Sequence, residues 1–342
     1  MPEINETSRL KDLWNEEQAK KMASNPLAML RYRSNLLGRD LRITNFGGGN
    51  TSSKIELPDP FHGKNVRVLA VKGSGGDLGS ITEGGFALLY LDRLEELQGL
   101  YRGEAYEDEM VDYYPLAAFG GNRVAASIDT PLHAFLPFPH VDHLHPDWAI
   151  ALAASANGKS KLDEFNRNFG HKMVWVPWQR PGFELALLMA RAVRDNPGTD
   201  GIILGGHGLF TWGMTQSECY RNSIQTIDQM GAFIERHQAK KGNLFGGFDY
   251  APVPDRQGMV AQILPTLRGA LSTSRRMIAH YCDDSDALTF AGSKWSRELA
   301  RLGTSCPDHF VRTRVCPMFL NWDPTKETVA TLKNRIPSQV AE

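Results

Sequence analysis

Ten histidines lie in this chain, and four of them, His133, His140, His143 and His145, fall within thirteen positions. The pair in His143-Leu144-His145-Pro146 is the informative one. Residues two apart on an extended strand project to the same side, so both imidazoles would face one cleft and could share a metal. Alone, such a pair is equally compatible with two ordinary hydrogen-bonded histidines. His207, held in Gly205-Gly206-His207-Gly208 between two apolar runs, adds a third candidate. Its flanking glycines let the backbone approach another strand or a ligand closely. Three imidazoles with one or two open positions form the usual catalytic zinc arrangement, in which the metal is a Lewis acid toward a substrate oxygen. The alternative is a glycine-flanked turn with an incidental histidine.

Upstream, Ser127-Ile128-Asp129-Thr130-Pro131-Leu132-His133 reads as a helix start, with a Ser or Asp cap and proline in the first turn. Asp129 therefore has two readings. It caps the helix, or its carboxylate, fourteen residues before His143, reaches the metal site as a general acid/base. The glycine clusters Gly47 to Ser53 and Lys72-Gly73-Ser74-Gly75-Gly76 offer backbone N–H groups, hydroxyls and one ammonium, the inventory of a phosphate cradle. Neither has Walker spacing, and each also reads as a turn.

The elements that must position these groups alternate along the chain. From Thr7 to about Leu41, apolar residues at helical spacing (Leu10, Leu13, Trp14, then Leu27, Met29, Leu30), broken at Asn25-Pro26, predict two or three helices. A Pro-rich turn at Pro58-Asp59-Pro60 leads into the β-type run Val66 to Val71. Further strand-like runs are Ala87 to Leu91, Val141 to Leu144, Met173 to Val176, Gly201 to Leu204 and Leu209 to Trp212. Helical patterns at Phe183 to Arg194 and Gln216 to His237, the latter capped by Thr215, separate several of them. Interleaved strands and helices argue for a layered α/β domain. Gly242 to Gly247, then Pro252 and Pro254, mark a boundary near residue 250, dividing a domain of 1–250 from an extension of 251–342. The extension carries Leu264 to Leu271, a helical pattern around Trp295 to Leu302, and a strand-like Phe310 to Leu320. No GxGxxG follows a strand, so no dinucleotide-binding half is expected.

Composition narrows the function classes. The chain has 342 residues, 42% hydrophobic and 23% charged, ordinary values for a protein with a sizeable core. Thirty-eight Lys and Arg against 39 Asp and Glu leave a formal charge of -1, with no global pull toward nucleic acid or an anionic membrane. The start, Met1-Pro2-Glu3-Ile4-Asn5-Glu6, is polar, and no apolar run approaches the length of about eighteen residues that a span requires. Cys219, Cys282, Cys306 and Cys316 are widely spaced without a CxxC pair and read as reduced thiols of a cytoplasmic protein.

Taken in order, Gly49-Asn50-Thr51-Ser52, Lys72-Gly73-Ser74-Gly75, Ser127-Ile128-Asp129 with His133, His143-Leu144-His145-Pro146 and Gly206-His207-Gly208 resemble the class II aldolase/adducin family over about residues 30 to 240. The stretches Asp129 to Pro137 and Gly303-Thr304-Ser305-Cys306-Pro307-Asp308-His309 are similar to the aldolase half of the bifunctional rhamnulose-phosphate aldolase/lactaldehyde dehydrogenases, extending the likeness to about residue 325. A short-chain dehydrogenase domain normally follows there. With the chain stopping at Glu342, the resemblance implies a truncated form or a stand-alone aldolase half.

The resemblance implies an α/β/α domain with a central β-sheet and a smaller C-terminal appendage. It also implies a zinc-dependent retro-aldol reaction on a ketose 1-phosphate such as rhamnulose 1-phosphate, giving dihydroxyacetone phosphate and lactaldehyde. His143, His145 and His207 match the family's metal-binding histidines. Zinc, or another divalent metal, would chelate the carbonyl and the neighbouring hydroxyl oxygen and stabilise the enediolate left by carbon–carbon cleavage. Asn50, Ser74, Gly75 and Ser127 match positions that hold the phosphate or substrate oxygens, Lys72 adds an ammonium beside them, and Asp129 would be the acid/base. A ring-shaped homotetramer with its cleft at a subunit contact is implied too, and the neighbouring subunit would supply the proton donor to the leaving aldehyde. Two features depart from the aldolases. They usually place Glu where this chain has Asp129, and the segment from that acid to His143 is shorter here. Asp at this place resembles the ribulose-phosphate 4-epimerases, so epimerisation or dehydration on the same metal stays open, as does an adducin-like binding module without chemistry.

Overall fold

A computed structural model describes residues 8–250 and 253–341. The acidic start Met1 to Glu6, Thr7 and the boundary residue Pro252 lie outside the described residues. Contacts divide the chain into two units, one of Met1–His237 with Ser305–Asp308, the other of Gln238–Thr304 with His309–Glu342.

In the first unit, α1 (Glu16–Met22) and α2 (Pro26–Gly38) open the chain. Asn25 caps α2 by accepting the N–H groups of Leu27 and Ala28, each at 3.0 Å, and Pro26 occupies the first turn as the sequence suggests. Leu10, Leu13 and Trp14 precede α1 rather than belonging to a helix. Asp228 takes the N–H groups of Arg9 and Leu10, and Asp12 takes that of Trp14 at 2.8 Å, so side chains satisfy the backbone that a helical turn would have satisfied.

Seven strands form one sheet: β1 (Asn50–Pro58), β2 (Asn65–Lys72), β3 (Phe86–Tyr90), β4 (His140–Leu144), β5 (Val174–Val176), β6 (Gly201–Leu204) and β7 (Gly208–Gly213). Their order is β3-β2-β1-β4-β7-β6-β5, every pairing antiparallel except β5 with β6. β1 is the strand that the glycines and serines concealed. Asn50 to Ser53 read as a turn, yet they pair with β4 and are all buried. Small polar side chains hydrogen-bond across the sheet there instead of forming an apolar run.

Helices cover both faces, giving an α/β/α sandwich. α3 (Leu91–Glu96), α4 (Glu107–Tyr113), α5 (Thr130–Ala134) and α8 (Phe183–Asp195) lie on one side; α6 (Asp147–Ala153), α7 (Gly158–Phe169), α9 (Gln216–Lys241) and α2 lie on the other. Alternation follows the strand period: Ile202, Leu204, Phe210 and Val141 pack with Leu185 and Met189 of α8, while Ile203, Leu209 and Leu144 pack with Phe165, Ile227 and Phe233. Thr215 caps α9 as expected, accepting the Glu218 N–H at 3.1 Å.

A buried polar knot fixes the site-bearing strands from behind. The Nε of Arg33 on α2 lies 3.1 Å from Asp142 on β4, both fully buried. Arg33 also donates to Gln216 Oε1 and to the Ser52 carbonyl, each at 2.6 Å, and Ser223 donates to Asp142 at 2.8 Å. One guanidinium thus ties α2, β1, β4 and α9 together, and its charge is tolerable only because every partner is present. Cys219 completes the knot with a 3.3 Å contact to Asp142; Cys219, Cys282 and Cys316 are free thiols.

The second unit contains α10 (Arg256–Leu271), α11 (Ser285–Ala291), α12 (Ser296–Leu302) and α14 (Val329–Ala341), with α13 (Pro307–Arg312) between α12 and α14. Leu332 and Ile336 are its most sequestered apolar side chains, and α10 packs on α14. The strand expected over Phe310 to Leu320 is absent: α13 runs to Arg312, and the following residues are irregular and mostly exposed. Among the described residues all seven strands lie elsewhere, so this stretch has no ladder partner there and its β-type composition decides nothing. No helix among the described residues is long and apolar enough to cross a membrane.

Candidate metal centre

The three histidines singled out by spacing meet in the structure. His143 is the fourth residue of β4, His145 follows that strand, and His207 sits in the tight connection from β6 to β7. His143 Nε2 lies 3.0 Å from both His145 Nε2 and His207 Nε2, and the three ligand atoms fall within 4.8 Å of one another. Glycines allow this convergence. Gly206 has φ +65°, a conformation L side chains rarely adopt, and a Cβ on Gly208 would come within 2.5 Å of the His145 ring.

Hydrogen bonds settle which ring nitrogen faces inward. His143 Nδ1–H donates to the Leu209 carbonyl at 3.1 Å, and its ring stacks on Phe210 at 4.1 Å with 12° between planes. His145 Nδ1–H donates to Asp308 Oδ2 at 2.7 Å. Both therefore present the Nε2 lone pair to the cluster. Burial, reinforced by neighbouring imidazoles, holds His143 well below the ordinary histidine range, and burial does the same to His207. Neutral imidazoles with lone pairs aimed at one another repel; a cation between them removes the conflict. Nitrogens about 2 Å from a zinc ion in tetrahedral geometry would stand roughly 3.3 Å apart, close to the 3.0 Å from His143 Nε2 to each of the other two. The donor set fits a divalent metal, with imidazole suiting zinc, copper, iron and nickel alike.

Strand register delivers the acid. Asn50 of β1 is the direct pairing partner of His143, so both project from the same end of the same sheet face. Asn50 Nδ2 donates to Asp129 Oδ2 at 2.8 Å, and Asn50 Oδ1 accepts from His133 Nε2–H. His133, fully buried and pushed down to about 3, is neutral, so its Nδ1 accepts from the Ser52 hydroxyl at 2.8 Å. A relay of Ser52, His133 and Asn50 thus holds one oxygen of Asp129. Asp129 occupies the cap position of α5 but makes no side-chain cap bond, so capping does not account for it. Burial raises its carboxyl, opposed chiefly by the Asn50 hydrogen bond and also by the Lys72 ammonium.

The remaining site residues lie on neighbouring loops. Lys72, at the end of β2, is buried and its ammonium donates to the Gly76 carbonyl at 2.7 Å, bracing the loop that follows. Ser74 and Gly75 on that loop are exposed, and Ser74 N–H donates to the Ala125 carbonyl at 2.9 Å, which draws the loop beside the segment carrying Ser127. Ser127 Oγ accepts the Asp129 N–H at 3.2 Å. Sequence reading assigned no role to Asp308 or Ser52. Asp308 lies 163 residues from its partner His145, a separation at which spacing carries no signal.

The sequence model of the class II aldolase and adducin N-terminal domain matches residues 31–229, and that of the aldolase class II second domain matches 258–342. The uncharacterized oxidoreductase YuxG of Bacillus subtilis is 38% identical over 333 residues, covering 97% of this chain but 47% of the relative, so the chain spans about half of that protein. Among solved structures, the N-terminal class II aldolase domain of a conserved Thermoplasma acidophilum protein superposes with a TM-score of 0.56 at 29% identity, covering 67% of this chain and all of that one. A sugar-phosphate aldolase from Thermotoga maritima is more distant, with TM-score 0.49 and 12% identity over 65% of this chain and 98% of that one.

Proposed function

The chain belongs to the class II aldolase and adducin family, and from that premise we propose that it cleaves a ketose 1-phosphate of the rhamnulose 1-phosphate kind to dihydroxyacetone phosphate and lactaldehyde. The observation that supports this best is the convergence of three imidazoles beside a carboxyl whose orientation is fixed by Asn50. His143, His145 and His207 would hold zinc, which when bound acts as a Lewis acid toward substrate oxygens. Asp129 moves the proton at the carbon that becomes nucleophilic. Its carboxyl, raised by burial, is better matched to proton transfer near neutral pH than an exposed aspartate. Asn50 and its relay keep one carboxyl oxygen occupied and leave the other for the substrate. Ser74 and Gly75 offer an exposed hydroxyl and backbone to the phosphate, Lys72 supports their loop, and Ser127 buttresses Asp129.

In this proposal residues 1–250 form the catalytic domain and 251–342 an extension, in a cytoplasmic homotetramer whose neighbouring subunit donates the proton to the leaving aldehyde. Aspartate in the place where the family's aldolases carry glutamate favours one second reading, epimerisation of a sugar phosphate on the same site. A panel of ketose 1-phosphates tests both: release of dihydroxyacetone phosphate supports cleavage, a new epimer without it supports epimerisation, and no turnover by the zinc-loaded protein refutes both.

A further inference from the structure

We propose that Asp308 is a positioning residue of the metal centre, fixing the tautomer and orientation of His145. The inference rests on the metal reading above and adds a residue remote from every metal motif in the sequence. Asp308 Oδ2 lies 2.7 Å from His145 Nδ1, the short distance of a hydrogen bond to a charged acceptor, with side-chain exposures of only 12% and 5%. That bond places the proton on Nδ1 and turns Nε2 toward His143, 3.0 Å away. The other two imidazoles are supported differently. His143 leans on a main-chain carbonyl, and His207 Nδ1 is buried without a hydrogen-bond partner. Among the described residues, His145 is therefore the one imidazole of the three recorded against a carboxylate, the kind of partner that fixes a ligand ring's tautomer and orientation.

The backbone is shaped to admit this carboxylate. A Cβ on Gly48 would lie 2.2 Å from Asp308 Oδ2 and 2.6 Å from its Cγ, closer than real Cβ atoms come. Gly48 is not among the positive-φ residues, so its lack of a side chain answers to space and not to backbone conformation. The glycine run that from sequence reads as a phosphate cradle or a turn thus makes room for an acid supplied by Ser305–Asp308, the segment that belongs with the first unit.

Three substitutions, read by zinc affinity and by melting temperature, test the proposal on the full chain. Zinc affinity is read by competition against a chromophoric chelator, and the melting temperature of the metal-stripped protein is read in parallel. Asp308→Ala should weaken zinc binding by about 10-fold or more, with the metal-free melting temperature unchanged, since partners behind metal-bound histidines typically contribute 10- to 100-fold. Asp308→Asn, which keeps a neutral acceptor, should recover part of that loss. Gly48→Ala, which displaces the carboxylate while leaving both partner residues unsubstituted, should weaken binding in the same direction. Zinc affinity within about twofold of the parent in Asp308→Ala would overturn the proposal, whatever happens to the melting temperature. A parent that holds no zinc fails the metal reading itself, whereas a parent that holds it with Asp308→Ala indistinguishable fails this inference alone.

Discussion

Replacing Asp129 by Asn separates chemistry from architecture more cleanly than any other single change at this site. Asn has nearly the same shape, and its Oδ1 can still accept the Asn50 Nδ2–H bond now made at 2.8 Å. No cap bond is lost, because Asp129 makes none. Only the ionisable proton disappears. As the acid/base, Asp129 should then contribute about 10²-fold or more to kcat, within the usual range for a positioned proton-transfer group. At 1.36 kcal/mol per tenfold, that is about 2.7 kcal/mol of transition-state stabilisation. Metal content should stay at the parent level, since none of the three imidazoles hydrogen-bonds to this side chain. Stability gives a second readout with a defined sign. Burial raises the folded-state carboxyl above its unfolded value of about 3.9, so its contribution is fully present below that pH and is lost as pH rises through the folded value. Asn carries no such loss, and metal-stripped Asp129→Asn should be at least as stable as the parent at pH 7. The assay is steady-state release of dihydroxyacetone phosphate by zinc-loaded protein, with metal analysis of the same samples. Turnover close to the parent's would refute the acid/base assignment, and loss of zinc would show that the carboxylate acts on the metal centre instead.

Other outcomes follow from the same geometry. His207→Ala should remove the metal while leaving the circular dichroism spectrum unchanged, because its Nδ1 supports nothing in the surrounding fold; retention of stoichiometric zinc would show that the metal sits elsewhere. Asp142→Ala should destabilise by about 3–5 kcal/mol in denaturant unfolding, since it strands the fully buried Arg33, and a cost below about 1 kcal/mol would mean the pair is screened. His133→Ala breaks the relay that orients Asn50, so kcat should fall while zinc affinity holds, and an unchanged kcat would detach the relay from catalysis. Light scattering at assay concentration should report four chains, a single chain counting against a shared cleft.

Much of the site was legible because chemistry leaves short signatures. HxH on an apolar strand already aims two imidazoles at one side, and glycines around His207 already announce a close approach, both consequences of backbone geometry within a few residues. The alternation of apolar runs and helical patterns likewise located six of the seven strands, since burial on both faces demands them. Other features depended on partners far along the chain. β1 could not be read because its small polar residues become a strand only when β2 and β4 flank them, and Phe310 to Leu320 failed as a strand because no ladder was there to join. Asp129 was ambiguous in sequence between cap and acid; the pairing of Asn50 with His143 is what brings a donor to its carboxylate and turns it away from the helix end. Asp308 is the extreme case. Its stretch, Gly303 to His309, carried part of the family resemblance but gave Asp308 no role, and only the return of Ser305–Asp308 beside Gly48 sets it against His145, because a hydrogen bond depends on distance in space and not on separation along the chain.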